Sequence, residues 1–335
     1  RVSCLTSSYQ NMQQIQAHTA DPEAVSQWLS RAIAGHADEK GTTWLKSQIE
    51  KLKGSYSERG FFIAFGASSR FFVEKPLNLS EDDLQHAADL RPGFAPANWN
   101  LRQTVRSYLL FFLPAHDAEV YLGTLNKLFE TADVAEQVAM YAALPLLPHP
   151  QKLVKRAAEG VRTNMTVVLD AIPLNNPYPA EYLDEVAWNQ LVLKNIFTER
   201  PLYKIQHRDT RANADLAQML TDFAHERRAA GRYIVPELWR PAAPFLTEKD
   251  RADIEWLFEK GTETEKMAAS LVCQHCPAEA IKQLSAKYPD ARQLQAAKAP
   301  DWDALGRLYH QRHGLSGTAY QQAGSGESPS SSSEA

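Results

Sequence analysis

Val134-Ala-Glu-Gln-Val-Ala-Met-Tyr-Ala-Ala-Leu-Pro-Leu-Leu-Pro-His-Pro-Gln-Lys-Leu-Val-Lys-Arg-Ala-Ala-Glu-Gly-Val161 is the stretch that decides the fold class. Its apolar residues recur three and four apart, the spacing of one helical face. A Pro-bearing turn then leads into a second, shorter run of Leu, Val and Ala. Residues 263–284 repeat the arrangement. An amphipathic helix pair buries its apolar face by packing on the next pair, as in HEAT-like repeats. The same rhythm extends in both directions. Asp21-Pro22-Glu23 is a helix start before Trp28, Leu29, Ala32 and Ile33, and Trp44, Leu45, Ile49 and Leu52 run to Gly54. Phe61 to Phe65 has strand-like composition, but no partner strand occurs elsewhere, so it is read as helix. Asn98 is read as the cap of a helix carrying Leu101, Val105, Tyr108, Leu109 and Phe112, stopped by Pro114. Further helices are expected over 119–130, 134–147, 150–169, 180–197, 215–230, 249–260, 262–276, 278–288 and 301–313. Short connections holding Pro, Gly or Asp keep neighbours antiparallel. The expectation is an all-α, solenoid-like stack of antiparallel helix pairs, one domain over residues 21–313.

Composition bounds the function. Among 335 residues the net charge is −4, which argues against nucleic acid because phosphate neutralisation needs a clustered basic surface. No run of 18 apolar residues occurs, so no membrane-spanning segment is expected, and the N-terminus lacks the pattern of a secretory signal. Three cysteines, Cys4, Cys273 and Cys276, cannot build a disulfide framework, which points to a reducing, cytoplasmic compartment. Residues 1–20 read as a disordered or artificial leader containing Met12. Residues 314–335, with Gly-Ser-Gly and a four-serine run, read as a disordered tail.

One segment is too polar for its position. Between Asn176 and Trp239, Trp188, Asn189, Gln190 and Lys194 crowd two turns of a helix that packing alone would leave apolar. Buried polar groups cost free energy unless paired, so this set either pairs with itself or lines a site. Asp222, His225 and Glu226 share a face by spacing and suit general acid–base chemistry. Alternatively, Asp222 or Glu226 forms ion pairs with Arg228, Arg232 or Arg211. Arg200, Arg208, Arg211, Arg227 and Arg240 could hold an anion, and Trp188, Tyr203, Phe223 and Trp239 could wall a pocket or be plain inter-helix core. Cys273-Gln-His-Cys276 with His310 and His313 has zinc-like separations, but helical cysteines are commonly small core residues, and no metal is expected. Nucleophile elbows, phosphate loops and dinucleotide fingerprints are missing, so neither a catalytic residue nor a cofactor is assigned.

The order of longer motifs resembles the EboA family, the metabolite traffic proteins of bacterial ebo gene clusters. Leu90-Arg-Pro-Gly, Leu128-Phe-Glu-Thr-Ala-Asp-Val, Leu144-Pro-Leu-Leu-Pro-His-Pro and Ala157-Ala-Glu-Gly-Val-Arg-Thr-Asn-Met carry the likeness. So do Asn176-Pro-Tyr-Pro-Ala-Glu-Tyr-Leu-Asp-Glu-Val-Ala-Trp-Asn-Gln-Leu-Val-Leu-Lys, Tyr203, Arg211-Ala-Asn, Asp222-Phe-Ala-His-Glu-Arg and Pro236-Glu-Leu-Trp-Arg. It covers roughly residues 28–246. The chain departs from the pattern at Arg228, where an aromatic residue is expected. The resemblance implies a role in moving a secondary-metabolite precursor out of the cytoplasm to the periplasm. It also implies prenyltransferase-like, dehydroquinate-synthase-like and TIM-barrel-type neighbours in the same cluster as partners.

The reading is a non-catalytic protein that binds or hands on a small-molecule metabolite. Its candidate ligand-binding face is Trp188, Asn189, Lys194, His225, Glu226 and Trp239, with Arg200, Arg211, Asp222, Arg227 and Arg240 around it. On that reading, alanine at Trp188 or His225 leaves the melting temperature nearly unchanged. The alternatives are an enzyme using Asp222, His225 or Glu226, and a helical-repeat scaffold docking the other cluster-encoded proteins.

Overall fold

Short polar residues stand where the helices begin. Asp21, Asp38, Ser57, Ser80, Asn100, Asp117, Asp133, Asp184, Asn213, Thr262 and Asp301 each accept a hydrogen bond from a backbone N–H in the first turn of the helix that follows. Each such cap contributes about 1 kcal/mol. The computed structural model describes residues 15–313, and among them there are helices and two isolated bridges, Pro76 with Asn100 and Leu174 with Ile205, but no sheet. The chain is all-α. The expected tail, 314–335, and the expected leader up to residue 14 lie outside the described residues.

Phe61 to Phe65 is helical, inside Glu58–Ala67, and Ser57 caps it. The predicted cap at Asn98 is corrected: Asn100 does that work, its Oδ1 accepting from Gln103 N at 2.8 Å. The helix expected over 150–169 is broken into a 3-10 turn Pro150–Lys152 and helices Val154–Gly160 and Thr166–Asp170. Thr163 Oγ1 accepts from Met165 N at 3.1 Å, a local bond that competes with helix continuation. The helix expected over 180–197 breaks at Leu183, whose extended backbone lets Asp184 cap Glu185–Phe197. Glu81–Leu90 and Pro289–Lys298 are additional helices; a Ser80–Asp83 capping box opens the first.

Packing departs from a one-dimensional stack. Helix Leu101–Leu109 is buried along its whole length, packed on both Pro22–Ala34 and Val134–Ala143. Glu263–His275 is likewise buried and touches Arg251–Lys260, Pro289–Lys298, Trp302–Arg312 and Trp239–Ala242. A helix covered on all sides is the centre of a cluster, whereas solenoid repeats contact only their neighbours.

Arg91 and Glu181 join distant parts of this cluster. Both side chains are almost fully buried and paired through two bonds, Nη1 to Oε1 at 3.0 Å and Nη2 to Oε2 at 2.6 Å. Arg91 Nε donates to the Pro145 carbonyl at 2.9 Å, and His18 N donates to Glu181 Oε2 at 3.0 Å. The Leu90-Arg-Pro-Gly motif thereby acquires a physical meaning. Gly93 turns the chain at φ +78°, and a Cβ there would lie 3.0 Å from Pro177. Removing one partner of a buried pair strands the other charge, so Arg91→Met is expected to cost about 3–5 kcal/mol in urea titration. The double variant Arg91→Met/Glu181→Leu recovers part of that loss.

Candidate functional site: a paired polar seam beside an open groove

Helices Glu185–Phe197 and Ala214–Ala229 pack together and carry most of the polar residues singled out above. Asn189 and Asn213 exchange amide hydrogen bonds at 3.1 and 2.9 Å, and Asn213 also caps the second helix. Trp188 is fully buried, with the Arg211 guanidinium 4.7 Å from its ring centre. Arg211 Nη1 donates to the carbonyls of Pro179, Ala180 and Leu183, closing the end of helix Tyr178–Tyr182. Arg240 grips Asp209 through Nε and Nη2, both at 2.7 Å, and shares Asp303 with Arg208. Arg200 meets Asp170 at 3.5 Å, and Arg227 donates to the Tyr233 carbonyl at 2.9 Å. Trp239 is buried.

The expected acid–base face is arranged differently. His225 Nε2 lies 2.8 Å from Asp253 Oδ2, and Arg228 Nη2 donates to the other oxygen at 2.6 Å. The ion pair expected between Arg228 and Asp222 or Glu226 is therefore corrected: Arg228 takes Asp253, from helix Arg251–Lys260. Asp222 accepts from Gln218 in solvent, and Glu226 is exposed. Most of these side chains thus divide into separate pairings on several elements, while Glu226 lies in solvent and the Trp188 and Trp239 indole N–H groups are buried without a partner among the described residues.

Two residues outside the candidate set hold the neighbouring elements together. Glu237 is fully buried and accepts from Leu202 N at 3.2 Å, Tyr203 N at 2.7 Å and His310 Nε2 at 3.1 Å. Gly306 makes room for it, since a Cβ there would stand 2.6 Å from Glu237 Cδ and from Tyr203. The one signal in the sequence was a lone carboxylate inside the otherwise bulky Pro236-Glu-Leu-Trp run. His310 is thereby committed to Glu237, while Cys273 Sγ donates to the Ile281 carbonyl at 3.1 Å. Among the described residues no three His, Cys, Asp or Glu side chains are placed to hold a metal.

Beside this seam lies a groove of about 720 Å³ between helix Glu185–Phe197, Phe223 and the turn after Val154–Gly160. Lys194, Arg162, Asn164, Gln190 and the capping carboxylate Asp184 give it polar groups; Val186, Leu193, Phe197 and Phe223 line it with apolar ones. Lys194 Nζ donates to the Thr163 carbonyl, which holds the ammonium at that turn. Phe197 and Phe223 face each other with ring centres 6.1 Å apart. Of the candidate ligand-binding face Lys194 lines this groove, and of the expected aromatic wall Phe223 does.

The family model described as "Metabolite traffic protein EboA" matches residues 23–243, more than half of the chain. Comparison with curated proteins and with solved structures returned no match. The groove and the paired seam both fall inside the matched span, whereas Asp253, Asp303 and His310 lie beyond it.

Two outcomes follow from this geometry. Trp188→Ala opens a cavity and is expected to cost about 3–5 kcal/mol, whereas His225→Ala, at a half-exposed side chain, costs about 1 kcal/mol or less. Chemical denaturation of the two variants separates these values and tests the expectation that neither changes stability. Asp170 is the second case: burial pushes its carboxyl up to about 6, against the pull of Arg200. A carboxyl that holds its proton more tightly when folded loses stabilisation as pH rises from its unfolded value, near 4, through its folded value. Wild type is therefore expected to lose stability relative to Asp170→Asn between pH 4 and 6, read from urea midpoints at each pH.

Proposed function

Because the chain belongs to the EboA family of metabolite traffic proteins, we propose that it binds a small amphipathic metabolite in the groove beside Lys194 and hands it on unchanged. One observation carries this reading. Val186 is 73% and Phe197 62% exposed in the groove, next to a lysine and an arginine. Large apolar side chains left in water beside fixed polar groups are the mark of a binding surface. An aromatic or aliphatic body would lie along Phe197, Phe223 and Val186, and an acidic or carbonyl end would meet Lys194 and Arg162. The paired seam serves this role by holding helix Glu185–Phe197 rigid, so that the groove is formed before the ligand arrives. In this reading the cargo is a secondary-metabolite precursor taken up in the cytoplasm and passed toward export to the periplasm. Its recipients are the prenyltransferase-like and other proteins of the same gene cluster. Among the described residues no helix is long and apolar enough to cross a membrane, which accords with a carrier that delivers to a membrane protein.

The 2.8 Å contact between His225 and Asp253 favours a second reading, in which a carboxylate orients an imidazole for general-base work. Arg228 occupies the other oxygen of Asp253 and weakens that carboxylate as a support for a cationic imidazole. Conversion of a cluster metabolite that disappears in His225→Gln would favour it over carriage.

Native mass spectrometry of the protein purified from its own host tests the carrier. Wild type is expected to retain a small molecule, and Phe197→Ser and Lys194→Glu to lose it at an unchanged melting temperature. Wild type without a bound molecule, or variants that keep it, would overturn the reading.

A further inference from the structure

Lys194 is a half-buried cation whose partner among the described residues is a neutral group, the Thr163 carbonyl. Charges drawn out of water are normally paired, because a carbonyl repays only part of the lost hydration. The same contact fixes where the ammonium sits. It lies at the turn whose flanking residues, Arg162 and Asn164, are exposed and line the groove as well. Arg162 has no carboxylate partner among the described residues either. Glu159, one turn earlier, is taken by Arg156 at 3.3 Å. Two cations therefore flank one turn with no counter-ion between them.

The far end of the groove has the opposite sign. Asp184, the carboxylate of the lining, caps helix Glu185–Phe197 and stands about 15 Å from Lys194 along the helix axis, at 1.5 Å per residue. Its Oδ1 accepts from Ala187 N at 2.8 Å, and the residue is exposed. Arg211 lies in the field of both Asp184 and Glu185, so one guanidinium meets two carboxylates and that end stays negative. The aromatic residues sit toward the positive end. Phe197, one turn after Lys194, and Phe223 tilt their rings 59° to each other. A further ring laid against the exposed Phe197 gains edge or offset contacts beyond the area it buries.

We infer that the groove selects a monoanionic aryl acid. Its carboxylate pairs with Lys194 and Arg162, its ring rests on Phe197 and Phe223, and its far end, beside Asp184, carries no negative charge. This rests on the carrier reading and narrows the cargo. A neutral carbonyl compound leaves Lys194 without a counter-ion, and a dicarboxylate sets its second charge against Asp184.

Equilibrium dialysis of the full chain tests this with rigid probes of closely similar length: biphenyl-4-carboxylate, biphenyl-4-carboxamide and biphenyl-4,4′-dicarboxylate. The monoacid is expected to bind about tenfold or more tightly than the amide, the gain of a charge-assisted bond. It is expected to bind about threefold or more tightly than the diacid, through like-charge repulsion screened by water. Lys194→Met should bring acid and amide to within about threefold at an unchanged melting temperature. Asp184→Asn keeps a side chain that caps the helix and removes the charge, so the diacid should rise to the affinity of the monoacid. Equal binding of acid and amide by wild type, or an acid preference that survives Lys194→Met, would overturn the inference. So would a diacid held as tightly as the monoacid, or no saturable binding of the monoacid. The carrier reading has its separate readout: a neutral or cationic molecule retained from the host and lost in Phe197→Ser upholds carriage while sinking the aryl acid.

Discussion

The buried pair of Arg91 and Glu181 is the constraint on which the arrangement of this chain depends. It brings together residues 90 positions apart and takes in the Pro145 carbonyl and the backbone of His18 as well. Two charges withdrawn from water are tolerable only when the remaining donors and acceptors are met, and here they are met by two further segments, at Pro145 and His18. The pair thus acts less as a source of stability than as a demand for one geometry. It holds the helix Tyr178–Tyr182 against the turn at Gly93, and from there the chain enters Glu185–Phe197. The position of the groove is a consequence.

A second demand of the same kind ties the end of the described chain to its middle. Glu237 closes the turn Leu202–Lys204 and receives His310 from helix Trp302–Arg312. The family match stops at residue 243, yet this contact makes the later helices part of the same folded body. Arg240 repeats the theme through Asp209 and Asp303. Many polar side chains of the seam are consumed in such ties, while the indole N–H groups of Trp188 and Trp239 stay buried without a partner among the described residues.

Much of the architecture was legible in local pattern. Asp21 announces a helix start because a cap and the first turn it serves lie within four residues, and periodicity alone placed the starts after Asp133 and at Thr262. Where the reading ran helices together, at 150–169 and 180–197, the break came from a side chain bonding its own backbone or from one extended residue, signals that periodicity smooths over. The candidate site was legible in a weaker sense. Density of polar residues drew attention to the seam, but density does not reveal direction. Lys194 reaches the groove edge; Asn189 one turn earlier is bound to Asn213. The groove's own markers, Val186 and Phe197, were overlooked because an apolar residue reads as core until its exposure is known.

What the chain determined on its own was its class: helices throughout, with a net charge of −4. Those properties follow from interactions between neighbours in sequence, so spacing is enough to read them. Only the folded structure decided which charges cancel and which remain free. Arg91 with Glu181, Arg228 with Asp253 and His310 with Glu237 are matches across long separations, chosen by where packing sets the helices down. No spacing rule encodes that choice, because desolvation and partner distance are properties of the assembled interior.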